Sequence, residues 1–347
     1  MAERTPLIGQ QPQQRSVQQS QQDKESHSKG AGLAVNCNDI AQRTVWLSIT
    51  VSLTLYYALC SSTMLVINKV AVHQIPAPSF LLFCQLAVSA LVARLGGAMG
   101  IIEVDRMEWS KFKPFVWVTA GFLGTIFANI KVLQNSNVET FITFRSSTPM
   151  IMSLCDWIFL GRALPSLRSW LCLIFLVGGA VGYVMVDTAF KLEAYLWLVA
   201  WYVAFIFEGI YVKHMCDSVP MTSWGRVYYT NAMSAVPLLF ISLFLNEHQT
   251  LMSLHWGVET IFPLLLSCAV GLGMSHAGYL LRDHVSATTF TIVGIMCKIA
   301  TVMINYMIWD KHANSQGMAF LLICVVAGTF YQQAPKRSEV NKGPMVG

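Results

Sequence analysis

The chain has 347 residues, of which 54% are hydrophobic and only 12% are charged, and its net charge is +5. Soluble proteins carry about 25% charged residues, so this composition excludes an ordinary water-soluble domain and indicates a protein that faces lipid. The 23 Lys and Arg residues are scattered between apolar runs, which excludes a nucleic-acid-binding stripe. The nine cysteines form no CxxC pair, so neither a zinc site nor a disulfide framework is predicted.

The first 44 residues are polar and contain the run PLIGQQPQQRSVQQSQQ. A segment this poor in apolar residues cannot bury a core, so a disordered tail is predicted over 1–44. It has no short apolar core that would mark a cleaved signal peptide, and we expect the first apolar stretch to act as an uncleaved anchor. Within the tail, Glu3–Ile8 fits an acidic dileucine pattern, which would favour endosomal or vacuolar sorting.

Ten apolar stretches follow the tail. They lie near 45–68, 77–99, 114–134, 138–160, 167–186, 194–213, 225–245, 260–281, 286–309 and 315–334. A helix that crosses a bilayer needs about 20 apolar residues, and each stretch is close to that length. The fold class predicted is therefore an all-α polytopic membrane protein, with a ten-helix domain over 45–334 and a C-terminal tail over 335–347.

The basic residues in the connections predict the orientation. If the N-terminus is cytoplasmic, the cytoplasmic side receives Arg94, Arg106, Lys111, Lys113, Arg162, Arg168, Lys213, Arg226, Arg282, Lys336, Arg337 and Lys342. The opposite side then receives only Lys69, Lys191 and Lys311. Because cytoplasmic loops are enriched in Lys and Arg, ten spans with both termini in the cytoplasm are predicted.

The two halves of the chain resemble each other weakly. An offset of 149 residues aligns DWIFLGR at 156–162 with NYMIWDK at 305–311. Five spans in each half would place the second half, about 194–334, upside down relative to the first, about 45–186. Inverted repeats with a binding site near the midplane are typical of secondary transporters.

Five ionisable residues fall inside the predicted spans: Lys131, Glu139, Arg145, Glu208 and Lys298. A charge at the bilayer centre costs about 2.5–3.5 kcal/mol on insertion scales, so each needs a reason to be there. One interpretation is that Arg145 and Lys298 each pair with a buried acid, Glu139 or Glu208, and only hold helices together.

The other interpretation gives Arg145 and Lys298 a common binding role. They lie in corresponding spans of the two halves, so they would form one positively charged cavity. Such a cavity favours an anion with two or more charges, and phosphate esters are the obvious class. Gly294, one turn before Lys298, would let the helix backbone approach this ligand closely.

These residues lie in stretches that resemble the nucleotide-sugar transporters of the drug/metabolite transporter superfamily, most closely the plant-type Golgi GDP-sugar branch. The matching stretches are YALCSS, INK, NVETFITFRSSTP, AVGYVMVDTAF, AYLWLVAW, YVKHM, SATTFTIVG, INYMIWDKH and YQQ. Together they extend over about residues 55–333, which is all of the chain except its tails.

The resemblance implies a set of nucleotide-binding residues. The family motif FYNN falls on residues 228–231 and includes Tyr229, Thr230 and Asn231, and the motif GALNK falls on residues 294–298. The second motif comprises Gly294, Ile295, Met296, Cys297 and Lys298. By the same resemblance Lys298 is the phosphate-binding lysine, Arg145 a second basic position, and Tyr57 and Ser275 belong to the nucleotide pocket.

Two positions depart from the family motifs. Thr230 and Cys297 replace asparagines, and neither offers the paired donor and acceptor of an amide. The phosphate end of the site is therefore better supported than the recognition of guanine, and another nucleotide sugar stays open.

The function implied is a Golgi antiporter that imports a GDP-sugar in exchange for GMP. GDP-fucose is favoured, and GDP-mannose and GDP-galactose stay open. Alternatives are a transporter of a UDP-sugar or other organic phosphate, and a membrane scaffold that does not transport. The isolated His214, His284 and His312 have no paired carboxylates beside them, so an enzyme is not expected, nor is a cofactor or a metal. Membrane lipid is an expected partner, and a homo-oligomer stays open.

Overall fold

The computed structural model describes residues 44–64, 66–68, 70–135, 138–186, 192–308 and 315–337. Inside the helices some side chains also lie outside the description, and those of Glu139 and Lys298 are among them. Residues 1–43 of the predicted disordered tail, with its Glu3–Ile8 pattern, and the C-terminal residues after 337 lie outside the described residues, whereas Thr44 begins the first helix.

The described residues are helical almost throughout. The helices are α1 (Thr44–Gln74), α2 (Pro78–Ala98), α3 (Trp109–Asn135), α4 (Val138–Phe159), α5 (Leu167–Val186), α6 (Leu192–Ser218), α7 (Ser223–Phe244), α8 (Glu247–Ser253), α9 (Val258–His284), α10 (Ala287–Ile308) and α11 (Ser315–Phe330). The prediction of an all-helical fold is confirmed. Each apolar stretch coincides with a helix, and the short α8 lies between the predicted stretches 225–245 and 260–281.

Several of these helices are long and apolar enough to cross a membrane. By length and composition, five helical segments of the described residues qualify: Thr44–Gln74, Pro78–Ala98, Leu196–Ser218, Ser223–Phe244 and Val258–His284. Large apolar side chains on their outer faces are exposed, as at Phe244 and Val258. Contiguous exposed apolar surface of this kind is what lipid covers in a membrane protein.

The main helix pairs are α2 with α7, α3 with α6, α5 with α11, and α4 with both α5 and α10. Further contacts link these pairs, among them α2 with α9, α3 with α7 and α4 with α6. The buried apolar side chains form separate clusters between helices. One cluster joins Leu173 and Leu176 of α5 to Ile292 and Ile295 of α10.

Hydrogen bonds tie the connection between α2 and α3 to the start of α7. The backbone N–H and the hydroxyl of Thr222 both donate to Asp105 Oδ2 at 2.9 Å, and Lys111 Nζ donates to Asp105 Oδ1 at 2.9 Å. Burial alone would raise the pKa of Asp105, but the hydrogen bonds from Lys111 and Thr222 outweigh it and hold this pKa below its ordinary value of 3.8. Thr222 is also the N-cap of α7, accepting from the N–H of Gly225 at 3.0 Å.

A second set of hydrogen bonds joins α4, α10 and the C-terminal segment 331–337. The buried Arg162 guanidinium donates to the carbonyl of Ala334 at 2.8 Å. The backbone N–H and hydroxyl of Thr288, in the first turn of α10, donate to the buried Asp156 of α4 at 3.0 and 2.6 Å. The N–H of Ser286 donates to Gln333 Oε1 at 2.8 Å, so the connections after α4 and after α9 both meet this segment.

The N-terminal end of α2 is capped from the α7–α9 connection. Its N-cap residue, Ala77, has no side-chain acceptor. Glu247 supplies one, because its carboxylate accepts from the N–H groups of Ser79 at 3.1 Å and Phe80 at 2.8 Å, and from the Ser242 hydroxyl at 2.8 Å. A carboxylate at a helix N-terminus is favourable both as acceptor and against the helix dipole.

Candidate functional site

A cavity of about 300 Å³ lies between the helices. Its walls come from α1, α2, α3, α4, α6, α7, α9 and α10. Polar and charged side chains form a large part of the lining: Tyr57, Thr125, Asn129, Arg145, Glu208, Lys213, Thr230, Asn231, Ser275, Tyr279, Arg282 and Thr291. So many polar groups among apolar helices indicate a site for a polar ligand.

Arg145 enters the cavity from α4. Pro149 has no N–H to donate to the carbonyl of Arg145, and the hydroxyl of Thr148 donates to that carbonyl instead, at 2.7 Å. The guanidinium carbon lies 4.8 Å from the ring centroid of Phe205 and 5.9 Å from that of Trp201. Its buried Nε has no hydrogen-bond partner, and no described carboxylate lies within 4 Å of the guanidinium. Arg145 is held by aromatic faces, which leaves its donors for a ligand.

Arg282 is a second cavity arginine, and the sequence reading had placed it in a cytoplasmic loop. Helix α9 continues to His284, so Arg282 belongs to its last turn. The guanidinium carbon lies 4.1 Å from the Phe290 ring centroid and 5.9 Å from that of Tyr279. Here again no carboxylate of the described residues lies within 4 Å. The sequence contains one signal for this position: Tyr279 lies one helical turn before Arg282, so its ring is on the same helix face as the guanidinium.

Two further charged residues line the cavity. Lys213 already has partners, since its Nζ donates to the carbonyl of Arg282 at 2.6 Å and lies 3.0 Å from Asp217 Oδ1. Glu208 of α6 interacts electrostatically with both Arg145 and Arg282. It makes no ion pair within 4 Å to a described cation.

The structure brings several predicted residues of α7 and α9 into this cavity. Asn231 is buried, and its Oδ1 accepts from Ser275 Oγ at 3.5 Å, the upper limit for a hydrogen bond. The hydroxyl of Thr230 lies 2.5 Å from that of Tyr279, so these two groups share a hydrogen bond. Asn231 and Ser275 are thus more available to a ligand than Thr230.

One face of α10 also lines the cavity. Phe290, Thr291 and Gly294 recur at helical spacing and all belong to the lining. A Cβ at position 294 would lie 3.4 Å from the hydroxyl of Tyr57, so glycine keeps this part of the wall open. The same helical stripe, continued by four residues, reaches position 298, and the Lys298 side chain lies outside the described residues.

Four predicted residues are packed in other surroundings. Tyr229 has no exposed surface, and its hydroxyl donates to the carbonyl of Arg106 at 2.6 Å. Ile295 belongs to the cluster between α5 and α10, and Met296 packs at its edge. Cys297 is buried in another cluster, beside Tyr57. These side chains support the walls of the cavity instead of lining it.

Two polar atoms on α3 were not anticipated from the sequence. Thr125 Oγ1 and Asn129 Oδ1 both line the cavity and are buried. Asn129 Oδ1 has no hydrogen-bond partner, and Thr125 Oγ1 lies close to the Glu208 carboxylate without a well-formed hydrogen bond to it. A buried polar group left unsatisfied costs about 1–3 kcal/mol. Together with the Nε of Arg145, these atoms form a surface that a ligand rich in hydrogen-bonding groups would satisfy.

An all-helical, multi-pass membrane protein with a polar, arginine-lined internal cavity belongs to the class of proteins that bind small polar solutes within the membrane. The particular family follows from comparison with known proteins. The model of the Triose-phosphate Transporter family matches residues 47–332, and the chain belongs to this family. The predictions that it is a transporter of the nucleotide-sugar transporter group, and not an enzyme, are confirmed.

Known relatives are similar over most of their length. GDP-fucose transporter 1 of Arabidopsis thaliana is 37% identical, covering 83% of this chain and 86% of the relative. GDP-mannose transporter GONST3, also of Arabidopsis thaliana, is 34% identical over 80% of this chain and 76% of its own. UDP-sugar transporter UST74c of Drosophila melanogaster is 24% identical over 75% of this chain and 71% of the relative. A solved crystal structure at 15% identity superposes with a TM-score of 0.60, covering 86% of this chain and 99% of that chain, which shows a shared fold.

Proposed function

We propose that this protein is a Golgi antiporter that carries a GDP-sugar, with GDP-fucose favoured, into the lumen in exchange for GMP. The observation that carries the proposal is the pair of cavity guanidiniums, Arg145 and Arg282, held on aromatic rings. A nucleotide sugar carries two negative charges on its diphosphate, and a nucleoside monophosphate carries about −1.5 to −2 at neutral pH. Both would be gripped by planar guanidiniums through paired hydrogen bonds.

The choice of a GDP-sugar rests on the relatives and on the cavity lining. The two Arabidopsis relatives at 34% and 37% identity are named for GDP-sugars. In this chain Asn231 and Ser275 line the cavity and offer the donors and acceptors that a base edge needs. GDP-mannose and GDP-galactose fit the same phosphate and base contacts.

A UDP-sugar is the second candidate, and the two departures from the family motifs favour it. The Thr230 hydroxyl is engaged with Tyr279, and the Cys297 thiol is buried in an apolar cluster. Neither side chain therefore replaces the asparagine amide that the family motifs have at these positions. The relative from Drosophila melanogaster is named for UDP-sugars.

The proposed topology is ten spans in two inverted halves with both termini cytoplasmic. In such an arrangement a two-fold axis would pair α2 with α7, α4 with α10 and α5 with α11, and those are three of the main packing pairs. It would also exchange the α2–α9 contact with the α3–α7 contact, and both occur. Arg106 and Arg162 lie in connections, Lys213 lies near the end of α6 and Arg226 lies in the first turn of α7. Hydrogen bonds join these positions at one end of the helices, which supports their placement on the cytoplasmic side.

Exchange in proteoliposomes tests the proposal. Vesicles with the purified protein are loaded with GMP, UMP, guanosine or buffer, and uptake of labelled GDP-fucose, GDP-mannose and UDP-galactose is measured. We expect internal GMP to accelerate uptake of GDP-fucose most strongly, and guanosine, which has no phosphate, to have no effect. Acceleration by UMP with UDP-galactose would shift the assignment to a UDP-sugar. Uptake of none of the three sugars above that of empty vesicles would refute transport of these nucleotide sugars.

A further inference from the structure

A carboxylate lies in the cavity that is proposed to bind an anion. Glu208 lines the same cavity as Arg145 and Arg282 and interacts electrostatically with both. Among the described residues it has no cation within 4 Å, so it is not locked into an ion pair. A negative charge here opposes the binding of a phosphate, and its presence needs a physical reason.

The packing of α6 fixes where this carboxylate can be. Glu208 is three residues after Phe205, the ring that supports the Arg145 guanidinium, so the two lie on neighbouring turns of one helix face. On the other side α6 is pressed against α3, because a Cβ at Gly121 would lie 3.3 Å from the Glu208 Cβ. Glu208 therefore starts from the helix face beside the ring that supports Arg145, and its carboxylate lies more than 4 Å from both guanidiniums.

We propose that Glu208 is an internal counter-ion, which partly neutralises Arg145 and Arg282 in the empty cavity and competes with the phosphate of a ligand. The inference rests on the proposed function, since it concerns the same phosphate site. Buried unpaired cations are costly, and a nearby carboxylate lowers that cost in the empty protein. When a phosphate dianion binds, the same carboxylate repels it, so affinity is reduced and release is eased.

Two consequences follow for a transporter. Glu208 weakens binding of any phosphate ligand, whichever base the ligand carries. It also lets the empty protein change conformation more readily, because its cavity is less positively charged. Removing the charge should therefore tighten binding and make uptake depend more strictly on internal nucleotide.

The test compares Glu208→Gln with wild type in two measurements. The first is the dissociation constant of GMP and, separately, of UMP by calorimetry in detergent at low salt. The second is the ratio of GDP-fucose uptake into GMP-loaded vesicles to uptake into empty vesicles. We expect Glu208→Gln to bind the monophosphate about tenfold more tightly and to raise this ratio severalfold. Glu208→Asp, which retains the charge, should show neither the tighter binding nor the raised ratio.

Glu259→Gln is the matched control, because it makes the same charge change on an exposed residue in the first turn of α9. It should leave both measurements at the wild-type value. If Glu208→Gln does not fold, Glu208→Ser, which is smaller and also uncharged, replaces it. Equal or weaker binding of the monophosphate by the uncharged variant, or an unchanged uptake ratio, would overturn the counter-ion role. Binding of UMP but not GMP by wild type would refute the GDP-sugar assignment and still allow this test with UMP.

Discussion

Replacement of Arg145 by alanine separates a binding role from a structural one. The guanidinium lies over Phe205 at 4.8 Å and Trp201 at 5.9 Å, with a buried and unpartnered Nε. A charge-assisted hydrogen bond to a phosphate contributes about 1.5–3 kcal/mol. Losing it corresponds to a roughly ten- to 150-fold weaker apparent affinity for the nucleotide sugar.

Folding should respond much less than binding. Each cation–π contact contributes about 0.5–2 kcal/mol, and the mutation removes two of them. It also removes a desolvated cation, whose burial costs several kcal/mol without a carboxylate partner. These two effects offset each other, so we expect the ligand-free Arg145→Ala protein to melt within a few degrees of wild type.

The assay is uptake of labelled GDP-fucose into GMP-loaded proteoliposomes over a concentration series, with equilibrium binding of GMP in detergent. Arg145→Lys should recover only part of the affinity, because an ammonium retains the charge but cannot make the paired contact. Arg168→Ala is the matched control: this exposed arginine also lies over a ring, 5.8 Å from the Phe330 centroid, at the start of α5. Wild-type affinity in Arg145→Ala, or an equal loss in Arg168→Ala, would refute the reasoning.

Four other changes test separate parts of the molecule. Lys298→Ala should nearly abolish exchange while expression is retained, and wild-type transport rates would exclude a phosphate-binding role for this lysine. Asn231→Ala should cost about 1–3 kcal/mol in affinity for GDP-sugars and little for UDP-sugars, as measured by competition in the same vesicles; equal losses would show that the residue does not read the base. Glu247→Gln should lower the free energy of unfolding by about 1–2 kcal/mol, because the buried helix cap loses its charge, whereas Glu259→Gln, at an exposed position in the first turn of α9, should lower it less. The pKa of Asp105 is lowered, so its hydrogen bonds stabilise the fold at any pH above 3.8 and are lost only as the pH falls below that value. Hydrogen-exchange protection factors of the nearby amides should therefore be the same at pH 7 and pH 5. They should be lower in Asp105→Asn than in wild type.

The sequence predicted the helices well and the cavity only in part. Apolar runs of about 20 residues located the helices because lipid requires every backbone group to bond within its own segment. Arg145 was recognisable, since a charge inside an apolar run is costly and usually marks a functional site. Arg282 was not, because it follows the apolar run by a single residue and counts equally well as a loop cation. Thr125 and Asn129 carry no charge, and polar residues of this kind are common in helices with no binding role.

The motif positions show a second limit of sequence reading. A motif marks consecutive residues, but only one face of a helix can line a cavity. In α10 the cavity receives Gly294, while Ile295, Met296 and Cys297 turn towards neighbouring helices. In α7 it receives Thr230 and Asn231, while Tyr229 is buried against α3. The resemblance to a family therefore pointed to helices that line the cavity, and the packing decides which of their side chains face it.

The arrangement of charges bears on how such a protein would exchange one solute for another. Arg145 and Arg282 rest on aromatic rings, which stabilise a cation only weakly, so an empty cavity retains much of their positive charge. A conformational change that closes this cavity without an anion would remove both cations from water, which is costly. In the proposed exchange, a phosphate group would remove that cost in either direction, whether it belonged to the incoming nucleotide sugar or to the outgoing monophosphate. Glu208 offsets part of the same cost within the protein itself. The strictness of exchange would then be set by the balance between the two arginines and this one carboxylate.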